Sequence, residues 1–255
     1  MNKKSRERWA PVITAAALLI MWQLGCSLFS IADYIFPSPL TIVQAMREFA
    51  GPIADAAWKT FWVTMLGFAI AIVVGVLLGF LVGSSRLAYA ALYPLLVGFN
   101  AVPKAALVPI LIVWFGIGLG PGILTAFLIS FFPITVNIAT GLATLEPELE
   151  DVLRVLGAKR WDVLVKVGLP RSMPYFYASL KVAITLAFVG TVLAEMTAGD
   201  SGIGYLMQTA GSQQRMPLAF AGLVAIGVMA MTMYELFSVI EKRTTGWAHR
   251  GTQGD

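Results

Sequence analysis

The sequence predicts an all-α, polytopic membrane protein with six transmembrane helices, both termini in the cytoplasm and a cytoplasmic helical knob between the fourth and fifth spans. Three observations carry this. Of the 255 residues, 58% are hydrophobic and 13% charged, with a mean hydropathy of +0.79, more apolar than a soluble core requires. Apolar runs long enough to cross ~30 Å of hydrocarbon recur along the whole chain. Finally, six spans place 14 of the 18 Lys and Arg residues on the N-terminal side, three (Arg47, Lys59, Arg215) on the other side and Lys104 within the membrane. An excess of basic residues marks the cytoplasmic side. Residues 1–255 read as a single membrane domain without internal repeats or a separate soluble part.

The basic cluster Lys3, Lys4, Arg6 and Arg8 precedes 24 uncharged residues, 9–32. The apolar region of a cleaved signal peptide is roughly half as long, so a retained first span is expected. The polar connection 33–59 contains FPSPLTIVQAMREF. There Ser38 is placed to cap a short helix with Pro39 in its first position, and Leu40, Val43, Met46 and Phe49 would form its apolar face on the outer surface. The second span, 61–85, carries Gly67, Ala71, Gly75, Gly79 and Gly83 at four-residue steps. Small residues at that spacing admit another helix at close range. That helix belongs either to the same chain or to a second subunit.

The third span, 92–115, contains Pro94, Pro103 and Pro109 and is expected to be irregular. Lys104 sits midway along it. An ionisable residue at that depth marks a pathway or a buried ion pair, unless a kink brings it within snorkelling reach of an interface. Lys104 and Glu146 are separated by 41 uncharged residues, too many for one crossing, and FGIGLGPG is the natural break. The fourth span is then 123–142. Asn100 and Asn137 either face a pathway or make hydrogen bonds between helices. The fifth span, 175–197, has Lys181 near its inner end and Glu195 near its outer end. AEMTAGDSGIGYLMQTAGSQQRMP follows as a turn and a short re-entrant or surface helix, where Glu195 and Asp200 serve a partner or gate, or are rim charges. The sixth span is 216–234, and Glu241, Lys242 and Arg243 open a polar tail.

The most charged stretch, 145–174, reads LEPELEDVLRVLGAKRWDVLVKVGLPRSMP. Leu149, Val152, Leu153 and Leu156 have helical spacing, and Glu146, Glu148, Glu150 and Asp151 fall in the first turns, where the macrodipole favours acids. Gly157 suits a helix C-terminus because it takes a positive φ without a Cβ clash. A second short helix is expected from Lys159, with Trp161, Leu164, Val165 and Gly168 on one face and Pro170 and Pro174 limiting it. From pattern alone this is either a docking knob or a solvated loop.

The spacing of this stretch resembles the signature of permease subunits in binding-protein-dependent ABC importers: Glu-Ala-Ala, three residues, Gly, nine residues, Ile, any residue, Leu-Pro. Asp151, Val152 and Leu153 stand at the Glu-Ala-Ala positions, Gly157 is the glycine, and Val167, Gly168, Leu169 and Pro170 close the motif. The FPSP segment, NAVPKAALVPILIVWFGIG and AEMTAGDSGIGYLM resemble the sulfonate, taurine and nitrate branch. The resemblance implies a coupling helix seated in a cytoplasmic ATPase subunit, with Glu148, Asp151, Leu153, Leu156, Gly157, Ala158, Trp161, Leu169 and Pro170 at the contact. It also implies a bacterial inner-membrane homodimer with a central pathway, two ATP-binding subunits holding ATP and Mg, and an extracytoplasmic solute-binding protein. Lys104, Asn100, Asn137 and Glu195 are the candidate pathway residues, for a small, anionic or polar solute. The alternative is an ATP-independent secondary transporter or channel, in which Lys104 and Glu195 form a charge relay.

The chain lacks the GxxxxGK[ST] phosphate loop, so no nucleotide site of its own is expected. Its single cysteine, Cys26, lies in an apolar run, and its single histidine, His249, lies in the polar tail. Neither a metal cluster nor a histidine-based enzyme is therefore expected. The pI near 9.3 reflects membrane topology rather than nucleic-acid binding.

Overall fold

The computed structural model of the chain describes residues 3–143, 155–157 and 160–245. Among these every regular element is helical. In order they are α1 (Lys3–Leu28), α2 (Pro39–Glu48), α3 (Ala50–Gly83), α4 (Arg86–Ala101), α5 (Lys104–Phe115), α6 (Leu119–Ala143), α7 (Arg160–Val163), a π turn (Leu164–Gly168), α8 (Leu169–Ala198), α9 (Gly202–Ser212) and α10 (Met216–Thr244). Five helices are long and apolar enough to cross a membrane, and α4 with α5, bent by 81°, makes a sixth when counted as one span.

The core is a slab of α3, α6 and α8, in which Phe68, Phe131, Ile134, Ile138, Leu180, Ile184 and Phe188 are buried. The four-residue ladder of small residues explains its tightness. A Cβ at Gly67 would lie 2.6 Å from that of Ala126, at Gly75 2.9 Å from Ile134, at Gly79 2.7 Å from Ile138 and at Gly83 2.9 Å from Leu142. The increasing order of both partners means that α3 and α6 run parallel. The ladder is thus an intrachain seam, which decides between the two partners left open by the sequence. On the other face of α6, α8 runs antiparallel, with Gly190 against Thr125 and Ala126 and Gly141 against Ser172.

The end of the bundle remote from the N-terminus, here the distal end, is built by α2, the first turns of α3, α9 and the start of α10. Ser38 caps α2 as expected: its backbone is extended, its hydroxyl accepts from the Thr41 N–H at 3.3 Å, and Pro39 follows. The buried face differs from the expected one. Ile42 and Ala45 face inward, with Met46 and Phe49 beside them against α10, whereas Leu40 and Val43 are exposed. α1 is held at its distal end by Trp22, whose ring is tilted against those of Phe36 and Phe220, and by Gln23, whose side-chain oxygen accepts from the Leu40 N–H.

Several helices outrun the apolar runs that predict them. α3 starts at Ala50, not near residue 61, because Pro52 falls in its first turn, where no N–H is required. α10 continues to Thr244, past the expected end at 234. Pro170 and Pro174 do not stop α8. Pro170 occupies its first turn, and the wider π turn just before absorbs the missing donor. Of the expected face Gly168 is buried and Val165 is exposed, and Val163 is buried as well.

Candidate functional site

Three polar constellations stand out in the apolar bundle. The first is at the bend. Pro94 and Pro109 lie inside α4 and α5, so the break falls at Val102–Pro103 alone. The residue before a proline is pushed towards extended backbone, and Val102 has φ −64° and ψ 127°. The bend deprives the Asn100 carbonyl of the backbone donor it would have in a continuous helix. The Lys104 ammonium supplies it instead, donating to that carbonyl and, at 2.6 Å, to Asn100 Oδ1. Lys104 and Asn100 therefore meet, as a cation closing the carbonyl end of α4. Around them α4 buries no side chain, and α5 buries only Val108 and Leu111. Asn137 is separate: its Nδ2 donates to Pro133 O, 2.8 Å away on its own helix.

The second constellation is distal. Glu195 is 8% exposed and lies against α3 and α9. The Thr60 hydroxyl, fully buried on α3, is 2.9 Å from both carboxylate oxygens, and the Gly204 N–H donates to Oε2 at 2.9 Å. Thr60 Oγ1 in turn accepts the Ile203 N–H at 2.8 Å. One turn deeper, the hydroxyls of Thr64 and Thr191 are 2.9 Å apart. Gly202, at φ +93°, has no room for a Cβ, which would meet the carboxylate. Beside Gly202 a cleft of about 310 Å³ opens between the start of α3 and α9, lined by Asp55, Lys59, Asp200, Tyr205 and Gln213 among others.

The third constellation is proximal. Lys181 on α8 and Glu241 on α10 pair at 2.6 Å, 18% and 13% exposed, and the ammonium lies 5.8 Å from the Tyr234 ring centroid. Sequence reasoning placed Glu241 in the tail and left Lys181 alone. Their common location at the proximal ends of successive spans was the available signal. Thr60 and Thr64, four apart in an apolar run, likewise signalled a buried polar stripe, as did the Gly-Ile-Gly that follows Glu195.

Of the expected coupling residues, Glu148, Asp151, Leu153 and Ala158 lie outside the described residues. Gly157 has the left-handed φ of +88° anticipated for a helix end, with nothing near its Cβ position, and Leu156 beside it is 77% exposed. Trp161 is in α7, and Leu169 and Pro170 open α8, both exposed. Among the described residues no three His, Cys, Asp or Glu side chains gather as a metal site would need.

Residues 71–246 match the family described as "Binding-protein-dependent transport system inner membrane component". The chain belongs to this family. It is accordingly an inner-membrane, multi-pass ABC transporter permease, a transport component rather than an enzyme. This permease is 32% identical over 228 residues to a probable ABC transporter permease protein of Haemophilus influenzae, covering 88% of this chain and 91% of the relative. It is 26% identical over 246 residues to the formylaminopyrimidine transport permease protein ThiX of Halalkalibacterium halodurans (96% and 98% covered). To the taurine transport system permease protein TauC of Escherichia coli it is 27% identical over 250 residues (95% and 91% covered). Its fold matches a chain of the MetNI methionine ABC transporter in an inward-facing form, with TM-score 0.66 and 18% identity over 77% of this permease and 98% of that chain.

Proposed function

We propose that this permease forms the translocation pathway of an ABC importer for a small anionic or polar solute, such as a sulfonate, taurine, nitrate or a related compound. The observation that carries the reading is the family match over residues 71–246, and the spacing of Asp151, Gly157, Leu169 and Pro170 supports it. Relatives named for taurine and for formylaminopyrimidine leave the solute to be drawn from this chemical range.

Two permease copies, two cytoplasmic ATP-binding subunits that bind ATP and Mg, and an extracytoplasmic solute-binding protein make up the proposed system, with both termini of the permease cytoplasmic. The sparsely buried, apolar α4 and α5 offer surface to a second copy. Segment 145–174 is the ATPase contact: Asp151 orients it, Leu153 and Leu156 pack, and Gly157 lets it sit deep.

Alternating access follows from how this chain is built. ATP-driven closure of the ATPase pair displaces the coupling segment, and α8 starts at its end. Because α3, α6 and α8 are interlocked without room for a methyl group, displacement at the proximal end moves the slab as a body rather than bending one helix. The Lys181–Glu241 pair passes the movement to α10. The hinge is the break at Val102–Pro103, and Lys104 and Asn100, which flank it, are the residues proposed to meet solute.

The test is a pull-down of the tagged chain from solubilised native membranes, with co-purifying proteins identified by mass and assayed for ATP hydrolysis. Recovery of an ATPase, lost when Leu153 and Gly157 are both changed, is expected. A chain that purifies alone and transports alone would overturn the reading in favour of an ATP-independent carrier.

A further inference from the structure

Glu195 presents an unusual combination: a carboxylate almost wholly removed from solvent at the distal end, where a rim charge would point outward. Removing a charge from water is costly unless hydrogen bonds satisfy it. Here each donor comes from a different element than the one carrying the acid. Thr60 Oγ1 belongs to α3 and the Gly204 N–H to the first turn of α9. The Ile203 N–H, from the same turn, closes the ring onto Thr60. The first turn of a helix has N–H groups without intrahelical partners and a partial positive charge, so an acid there both caps and neutralises.

The local sequence is shaped to let this happen. Gly202 leaves the carboxylate room that a side chain would fill, and at Gly204 a Cβ would lie 2.6 Å from Glu195 Cβ. The same turn of α9 forms one wall of the distal cleft, and residues just before Thr60, Asp55, Ala56 and Lys59, form the other. Gly202, whose Cβ position abuts the Glu195 carboxylate, lines the cleft and joins it to the cluster.

We propose that Glu195 is a positioning residue of the transport cycle: with Thr60 it fastens the first turn of α9 to α3 and α8, so the two walls of the distal cleft move with the slab. Its charge is consumed by this fastening and serves neither solute nor proton transfer. Without it the first turn of α9 keeps only the Ile203–Thr60 hydrogen bond and apolar contacts to α3, and motion of α8 reaches the cleft incompletely.

The experiment uses the full-length chain purified with its ATPase subunit in lipid nanodiscs, and the complete system in proteoliposomes. Thr60→Val keeps the side-chain shape and removes the hydroxyl, Thr60→Ser restores it, and Glu195→Gln removes the charge. Amide exchange across residues 199–207, read by mass spectrometry, is expected to quicken about ten-fold or more in Thr60→Val and Glu195→Gln. Thr60→Ser should return it to the wild-type rate, with exchange in α6 unchanged throughout. Transport by Thr60→Val should fall several-fold while ATP hydrolysis by the complex persists, and Thr60→Ser should recover it.

Unchanged exchange would overturn the proposal, whether or not transport falls, because loss of transport alone would assign Glu195 to solute or proton chemistry. Faster exchange with undiminished transport would overturn it equally. If Thr60→Val fails to assemble, Thr60→Ser against Glu195→Gln gives the same comparison. The transport arm rests on the importer reading and the exchange arm does not, so failures of the two are distinguishable.

Discussion

Lys181 and Glu241, 60 residues apart, form an ion pair of 2.6 Å between α8 and α10 with little access to solvent. Removing one partner leaves the other charged and buried, which costs far more than the pair itself contributes. Glu241→Ala is therefore expected to lower the stability of the purified protein by about 2–4 kcal/mol, discounted from fully buried cases for the residual exposure. The exchanged pair Lys181→Glu with Glu241→Lys should recover more than half of that. A double-mutant cycle by thermal unfolding in detergent checks it, and a coupling energy near zero would show that the two groups act independently.

The α3–α6 seam predicts a graded response to added volume. Gly79→Ala places a methyl 2.7 Å from Ile138 Cβ, and overpacking of this kind costs about 1–3 kcal/mol. Ile138→Ala keeps that Cβ and removes buried volume, so Gly79→Ala with Ile138→Ala should be no more stable than Gly79→Ala alone. Gly25, with nothing near its Cβ position, should accept alanine without loss. Melting temperatures of the three variants decide this.

At the bend, Lys104→Met removes both the cation and the donor that closes α4. Transport is expected to fall about ten-fold or to change its preference between anionic and neutral solutes, as measured by uptake in proteoliposomes. Asn100→Ala retains the cation and the backbone carbonyl that it binds, and should keep the preference. Unchanged rate and preference in Lys104→Met would leave Lys104 only as a cap.

Gly157 holds a φ of +88°, a region that costs an ordinary residue about 1–2 kcal/mol. Gly157→Leu should insert and assemble normally, yet hydrolyse ATP without matching transport. The ratio of ATP hydrolysed to solute moved is the decisive quantity, and an unaltered ratio would remove Gly157 from the coupling contact.

How much of this was legible beforehand varies with the range of the interaction. The Ser38 cap and the sign of φ at Gly157 are local and were readable from neighbouring residues. The spans were readable because hydropathy reports membrane thickness. It does not report helix length, so α3 and α10 extend beyond their apolar runs into water. The inward face of α2 depended on where α10 lies, and Ile42 and Ala45 won over Leu40 and Val43 for that reason alone. Of the candidate site, the Lys104–Asn100 contact is one helical turn apart and followed from the prolines once the bend was known. The pairing of Glu195 with Thr60 and of Lys181 with Glu241 was not legible, because each partner lies at least one span away in the chain.

The parallel register of α3 and α6 has a consequence for biogenesis. Two parallel helices cannot form a hairpin, so the glycine face of α3 must stay bare until α4, α5 and most of α6 have been synthesised. Gly79 and Ile138 are about 60 residues apart, which at ~5–20 residues per second leaves the groove uncovered for about 3–12 s. During that interval lipid or the insertion machinery has to occupy a surface shaped for another helix. A seam this close in the finished protein is thus open for a long stretch of its synthesis at the ribosome.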